Sequence, residues 1–83
     1  MNSQDAIACL DKVFSRCLTD AEEKCLCGCM DGLTYQQIAD SAGYSTDYIK
    51  QVGAFLWKEL SQLVGQEISK KNFKSAIRKL CHE

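Results

Sequence analysis

A chain of 83 residues, 46% apolar and 25% charged with no proline, is one domain's worth of protein with a thin core, which excludes disordered and collagen-like classes and a multi-step enzyme with its own cofactor cradle. Ten basic against eleven acidic residues leave a net charge of −1, so the overall balance does not announce a nucleic-acid partner. No apolar run approaches the length of a membrane span, and the start Met1-Asn2-Ser3-Gln4-Asp5 has neither a basic nor an apolar signal region, so the expectation is a cytoplasmic protein with no membrane partner.

Helical periodicity dominates. A first helix is expected from about Gln4 to Cys17, with Ile7, Leu10, Phe14 and Cys17 on one face. Thr19-Asp20-Ala21-Glu22 reads as a capping box, in which the threonine hydroxyl takes an orphan amide and the glutamate reaches back. A second helix should therefore start there and end near Gly32, with Ala21, Cys25, Leu26 and Cys29 or Met30 inward. Thr34-Tyr35-Gln36-Gln37 is a second capping box, with Leu33 placed to staple onto Ile38, and opens a short third helix to about Ser41 or Ala42. Gly43 supplies the freedom for a tight turn, and Ser45 then caps a long fourth helix whose stripe is Ile49, Val52, Gly53, Leu56, Leu60 and Leu63. Trp57 is expected to cover the seam between this helix and the last one. Ser69 reads as the cap of a fifth helix, with Ile68 against Phe73 and an inner face of Phe73, Ala76, Ile77 and Leu80. The expected fold is all-α, a compact five-helix bundle forming a single helical domain over residues 1–83.

Six cysteines would suit a disulfide scaffold, but the chain lacks a secretory signal and a loop-rich texture, so reduced thiols are expected. Cys25, Cys27 and Cys29 form a C-x-C-x-C run, which on a helix splits the thiols between opposite faces and suits a metal poorly. The single histidine, His82, stands beside Cys81 near the end of the chain. Cys17, Cys25 and Cys29 read as buried small apolar residues and Cys9 and Cys27 as exposed; no metal or cofactor is implied.

Charge is unevenly spread. Residues 1–48 hold three basic and eight acidic side chains, net −5, whereas residues 49–83 hold seven basic and three acidic, net +4. No paired carboxylates, Ser-His or Cys-His constellation or phosphate loop appears, so neither an enzyme nor a small-molecule substrate is expected.

The stretch Tyr35 to Ala54 carries the functional signal. A helix-turn-helix needs a small residue in its first helix, a permissive turn and apolar anchors in its second. Ile38 and Ala39, then Gly43 between Ala42 and Tyr44, then Ile49 and Val52, meet these needs, and place the helix-turn-helix core at about residues 34–64. Gly32-x-Thr34-x-x-Gln37-Ile38-Ala39, Gly43-x-Ser45-x-x-Tyr48-Ile49-Lys50, Leu56 and Leu60 resemble the LuxR/NarL-type and sigma region 4 pattern, with Gln37 where an acidic residue is usual. Leu18-Thr19-Asp20, Gly28, Gly32-x-Thr34-Tyr35-x-x-Ile38-Ala39, Gly43-Tyr44-Ser45-x-x-Tyr48-Ile49-Lys50-x-Val52-Gly53, Leu56-Trp57 and Lys70-Lys71-Asn72-Phe73 are similar, over about residues 18–80, to a more specific family. That family is a cyanobacterial helix-turn-helix domain standing at the N-terminus of NTPase or WD-repeat signalling proteins such as the vWA-MoxR-associated proteins. The departures, Met30 in place of an aromatic residue and the cysteine-rich second helix, bear on packing rather than on the turn.

On this reading the fourth helix enters the major groove of double-stranded DNA, as in a transcriptional regulator or the DNA-binding domain of a signalling protein. Thr46, Asp47, Lys50, Gln51 and Ala54 share its outward face, with Lys50 suited to guanine, Gln51 to adenine and Asp47 to cytosine. Thr34, Tyr35, Gln36, Ser45 and Tyr48 are candidate phosphate contacts, with Lys70, Lys71 and Lys74 reaching flanking backbone. The rival expectation is a signalling adaptor without DNA binding, whose acidic face of Asp20, Glu22, Glu23 and Asp31 meets a protein partner or a second copy in a homodimer.

Overall fold

The computed structural model describes residues 3–81, and within them the chain forms five helices. They are α1 (Ser3–Val13), α2 (Asp20–Met30), α3 (Tyr35–Ala42), α4 (Thr46–Val64) and α5 (Phe73–Leu80). The all-α bundle expected from periodicity is what forms. A core of Ala6, Leu10, Leu26, Ile38, Ile49, Leu56, Leu60, Phe73 and Ile77 draws on every helix. Helix α4 runs through its middle, touching α2 and α3 on one side and α5 on the other, while α1 closes the bundle against α2 and α5.

Local signals set most of the boundaries. Both capping boxes close: the Thr19 hydroxyl accepts from the Glu22 amide and the Thr34 hydroxyl from the Gln37 amide, and each N3 side chain accepts from its cap residue's backbone N–H in return. Gly43 ends α3 at φ 80°, the left-handed conformation that a side chain at this turn would strain. Ser45 caps α4 by accepting from the Tyr48 amide at 3.1 Å.

Several expectations need correction. Helix α1 ends at Val13 rather than Cys17, because Ser15 turns left-handed at φ 57° and the Asp11 carboxylate captures the Leu18 amide at 2.8 Å. The chain therefore reverses early and leaves Cys17 exposed. Helix α5 starts at Phe73, not after Ser69. Asn72 spends its side chain on the backbone, accepting from the Ser69 amide at 2.7 Å and donating to the Glu67 carbonyl at 3.0 Å, which holds residues 69–72 as a separate turn.

Leu63 lies outside the buried stripe of α4 and is about half exposed. Val64, four residues after Leu60, packs partly buried against the core in its place. Finally, Cys9 and Cys81 are joined as a disulfide, since α1 and α5 lie side by side and bring their Cα atoms to 6.0 Å. Cys9 is half-buried rather than exposed, and so, independently, is the free Cys27 on α2, whereas Cys25 and Cys29 are buried as expected. His82 lies outside the described residues.

Candidate functional site

The site is built on the crossing of α3 over α4. Ala39, fully buried, lets the two helices approach at the turn. At the other end of α3 the contact is closer still, because Tyr35 lies directly on Gly53. A Cβ at Gly53 would sit 2.8 Å from the Tyr35 hydroxyl oxygen and 3.0 Å from its ring. The same hydroxyl accepts from Trp57 Nε1 at 2.9 Å, and Trp57 stacks on Phe73 with ring centroids 4.6 Å apart. Trp57 covers the seam between α4 and α5 as expected, and also fastens α3 to both. Burial holds the Tyr35 hydroxyl above its ordinary pKa, against the bond from Trp57.

This arrangement sorts the sequence-predicted residues. Asp47, Lys50, Gln51 and Ala54 are exposed together on one face of α4, at spacings of three and four residues, and Thr46 is half-buried at its start. Tyr48 points to the flank of that face, where its ring meets Tyr44 at 5.3 Å. Thr34 and Ser45 spend their hydroxyls on helix caps, and the Tyr35 hydroxyl is turned inward to Trp57. Gln36 is exposed on the first turn of α3. The fold brings Lys70 to the same place, its ammonium 4.9 Å from the Tyr35 ring centroid, while Lys71 and Lys74 are exposed beyond it. The first turn of α3 and the turn before α5 therefore form one neighbourhood, although 35 residues separate Tyr35 from Lys70.

The acidic N-terminal face is partly consumed inside the fold. Glu22 is only 5% exposed and takes both terminal nitrogens of Arg16, at 2.8 and 2.9 Å. Arg16 also donates to Glu59 of α4 at 2.9 Å and lies over the rings of Phe14 and Phe55. The Arg16 hydrogen bonds hold the Glu22 carboxyl below the usual carboxylate range against the opposing effect of burial. Asp20 accepts from the Tyr44 hydroxyl at 2.8 Å. Glu23 and Asp31 remain on the outside, half-exposed and exposed.

A shallow groove of about 190 Å³ between α2 and α3, bordered by Lys24, Asp31, Leu33 and Ile38, is smaller than the sites that enclose drug-sized ligands. Among the described residues no group of three or more histidine, cysteine or acidic side chains converges as a metal site, and no helix is long and apolar enough to cross a membrane.

Sequence reasoning missed Arg16 altogether, along with the Trp57–Tyr35 bond and the Lys70–Tyr35 contact. Each joins elements far apart in the chain, and no local spacing signals it.

Comparison with curated proteins and with solved structures gives no match. A family match does extend over residues 1–80, taking in α1 as well as the stretch that carries the sequence resemblance. With a Gly43 turn between two closely crossed helices inside that match, the chain belongs to the vWA-MoxR associated protein N-terminal helix-turn-helix family.

Proposed function

We propose that this helix-turn-helix module binds double-stranded DNA with the first turns of α4 in the major groove, as a transcriptional regulator or as the DNA-reading part of a signalling protein. One observation carries the reading. Asp47, Lys50 and Gln51 form an exposed polar face at the N-terminal end of α4, and none of their side chains is engaged in a hydrogen bond or ion pair among the described residues. A helix of this diameter fits the major groove, and these side chains match its base edges: lysine for guanine O6 and N7, glutamine for adenine N6 and N7, aspartate for the cytosine amino group.

Phosphate contacts come from a second region. The first amides of α3, at Tyr35 and Gln36, have no intrahelical partner and point out of a helix N-terminus. Lys70 sits over Tyr35 beside them, and Lys71 and Lys74 follow. Asp47 repels phosphate, so it adds discrimination rather than affinity.

Fluorescence anisotropy on pooled random duplexes tests this. Binding at low salt should weaken as salt rises, with a log–log slope of about −0.9 for each lysine that meets a phosphate. K50E, which sets a like charge in the groove, should weaken binding about tenfold or more, and K70E/K71E should flatten the slope by nearly two. Absence of binding at low salt, or an unaltered K50E variant, would overturn the reading.

A second reading, a protein-interaction adaptor, is favoured by a different observation. Tyr48, Phe55 and Leu63 are large apolar side chains left about half exposed along one flank of α4. Under this reading Y48S/F55S loses capture of a protein partner, or shifts a homodimer to monomer in light scattering, while DNA is not retained.

A further inference from the structure

The disulfide between Cys9 of α1 and Cys81 at the end of α5 joins residues 72 apart in sequence. It closes almost the whole described chain into one loop. Four other cysteines remain thiols, with Cys17 exposed and Cys27 half-buried. Where thiols persist, a protein disulfide exchanges with small thiols and disulfides. Cys9 and Cys81 are each half-buried at the edge of the core, so theirs is the bridge on which such exchange acts.

What the bridge holds is the least self-sufficient element of the fold. Helix α5 has eight residues, no side-chain cap bond at Asn72 and no acidic residue in its first turn. Isolated helices below about 12 residues are marginal in water. Its attachments are Phe73 on Trp57, the burial of Ala76 and Ile77, and Cys81 on Cys9. Its outer side carries Lys74, Arg78 and Lys79.

We propose that Cys9 and Cys81 form a reversible dithiol–disulfide site for low-molecular-weight disulfides such as oxidised glutathione, and that oxidation fastens the basic C-terminal helix to α1. One cysteine loses its proton and attacks the glutathione disulfide. That S–S bond breaks, and one glutathione leaves with the electron pair and takes up a proton. The second cysteine, deprotonated in turn, attacks the protein sulfur of the mixed disulfide and releases the other glutathione. Two protein thiols are oxidised and one glutathione disulfide is reduced to two thiols; an excess of reduced glutathione reverses both steps. Phe73, Ala76 and Ile77 stay buried in the reduced form, so α5 loosens locally while the bundle persists. None of this depends on what α4 binds.

The test uses the full chain equilibrated in glutathione buffers of graded oxidised-to-reduced ratio, alkylated natively and mapped by mass spectrometry. The expected result is that Cys9 and Cys81 lose labelling together and appear as one cross-linked peptide pair. Amide hydrogen exchange across residues 73–81 should then be about tenfold or more slower in the oxidised protein, and C9S/C81S, checked for native helicity, should match the reduced protein in every buffer. Absence of the cross-linked pair at all ratios overturns the proposal, as does a cross-link that leaves exchange across α5 unchanged.

Discussion

Replacing Arg16 by methionine isolates the polar knot that fixes α4 against the start of α2. Methionine keeps an unbranched apolar stem and removes the guanidinium that lies over Phe14 and Phe55, so Glu22 loses both Arg16 bonds and keeps the one from the Thr19 backbone N–H. Ion pairs in full solvent contribute about 0–1 kcal/mol, and stripping one partner from a buried pair costs about 3–5 kcal/mol. The side chain of Arg16 is 36% exposed and that of Glu22 6%, so the cost falls between these limits. We expect about 2 kcal/mol, or a drop in Tm of about 8–16 °C for a domain of this size.

The pH dependence has a definite sign. Arg16 depresses the Glu22 pKa in the fold, so the stabilisation is fully present above the unfolded value of about 4.3 and is lost as pH falls through the lower folded value. Thermal melts followed by circular dichroism at pH 7 and near pH 3 are the assay. The R16M deficit should shrink by at least half at the acidic end, and E22Q on top of R16M should recover part of it at pH 7, because glutamine still completes the capping box. An R16M protein melting within about 3 °C of the parent at pH 7, or a deficit that does not change with pH, would refute the reasoning.

Three further outcomes follow from single contacts. Gly53→Ala forces Tyr35 off α4, because the new methyl lies about 3 Å from ring and hydroxyl atoms that Trp57 holds in place; a loss of about 1–3 kcal/mol in urea unfolding is expected. Tyr35→Phe leaves Trp57 Nε1 without its partner and should cost about 1 kcal/mol in the same measurement, with no change in helix content. Thr34→Ala removes one arm of the capping box on α3 and should lower stability by about 1 kcal/mol, while Thr34→Asn stays within a few tenths of the parent.

The helices and the turn between α3 and α4 were legible because their determinants are local. A threonine three residues before a glutamate or glutamine, and a glycine between two apolar stripes, act within one turn of chain. The same local reading misplaced the start of α5, since Ser69 followed by Asn72 imitates a cap while Asn72 actually ties down a preceding turn. It also carried the first helix through Arg16, whose side chain is held instead by Glu22 and by Glu59, 43 residues away. For the candidate site, periodicity alone put Asp47, Lys50, Gln51 and Ala54 on one exposed face. It could not tell that Tyr35 faces inward, because the partner that turns it, Trp57, stands 22 residues on. Nor could it place Lys70 over Tyr35, which follows from how the turn before α5 returns past α3.

Trp57 is the only tryptophan in the chain, and it sits where three helices meet. Nearly all of its surface is covered, its indole nitrogen is tied to α3 and its ring rests on the first residue of α5. The native protein therefore carries an intrinsic fluorophore at the joint that any movement of the C-terminal helix must disturb. Its emission should lie toward the blue and shift red when that joint opens to water, so release of α5 and displacement of Tyr35 can be followed in solution without attaching a dye.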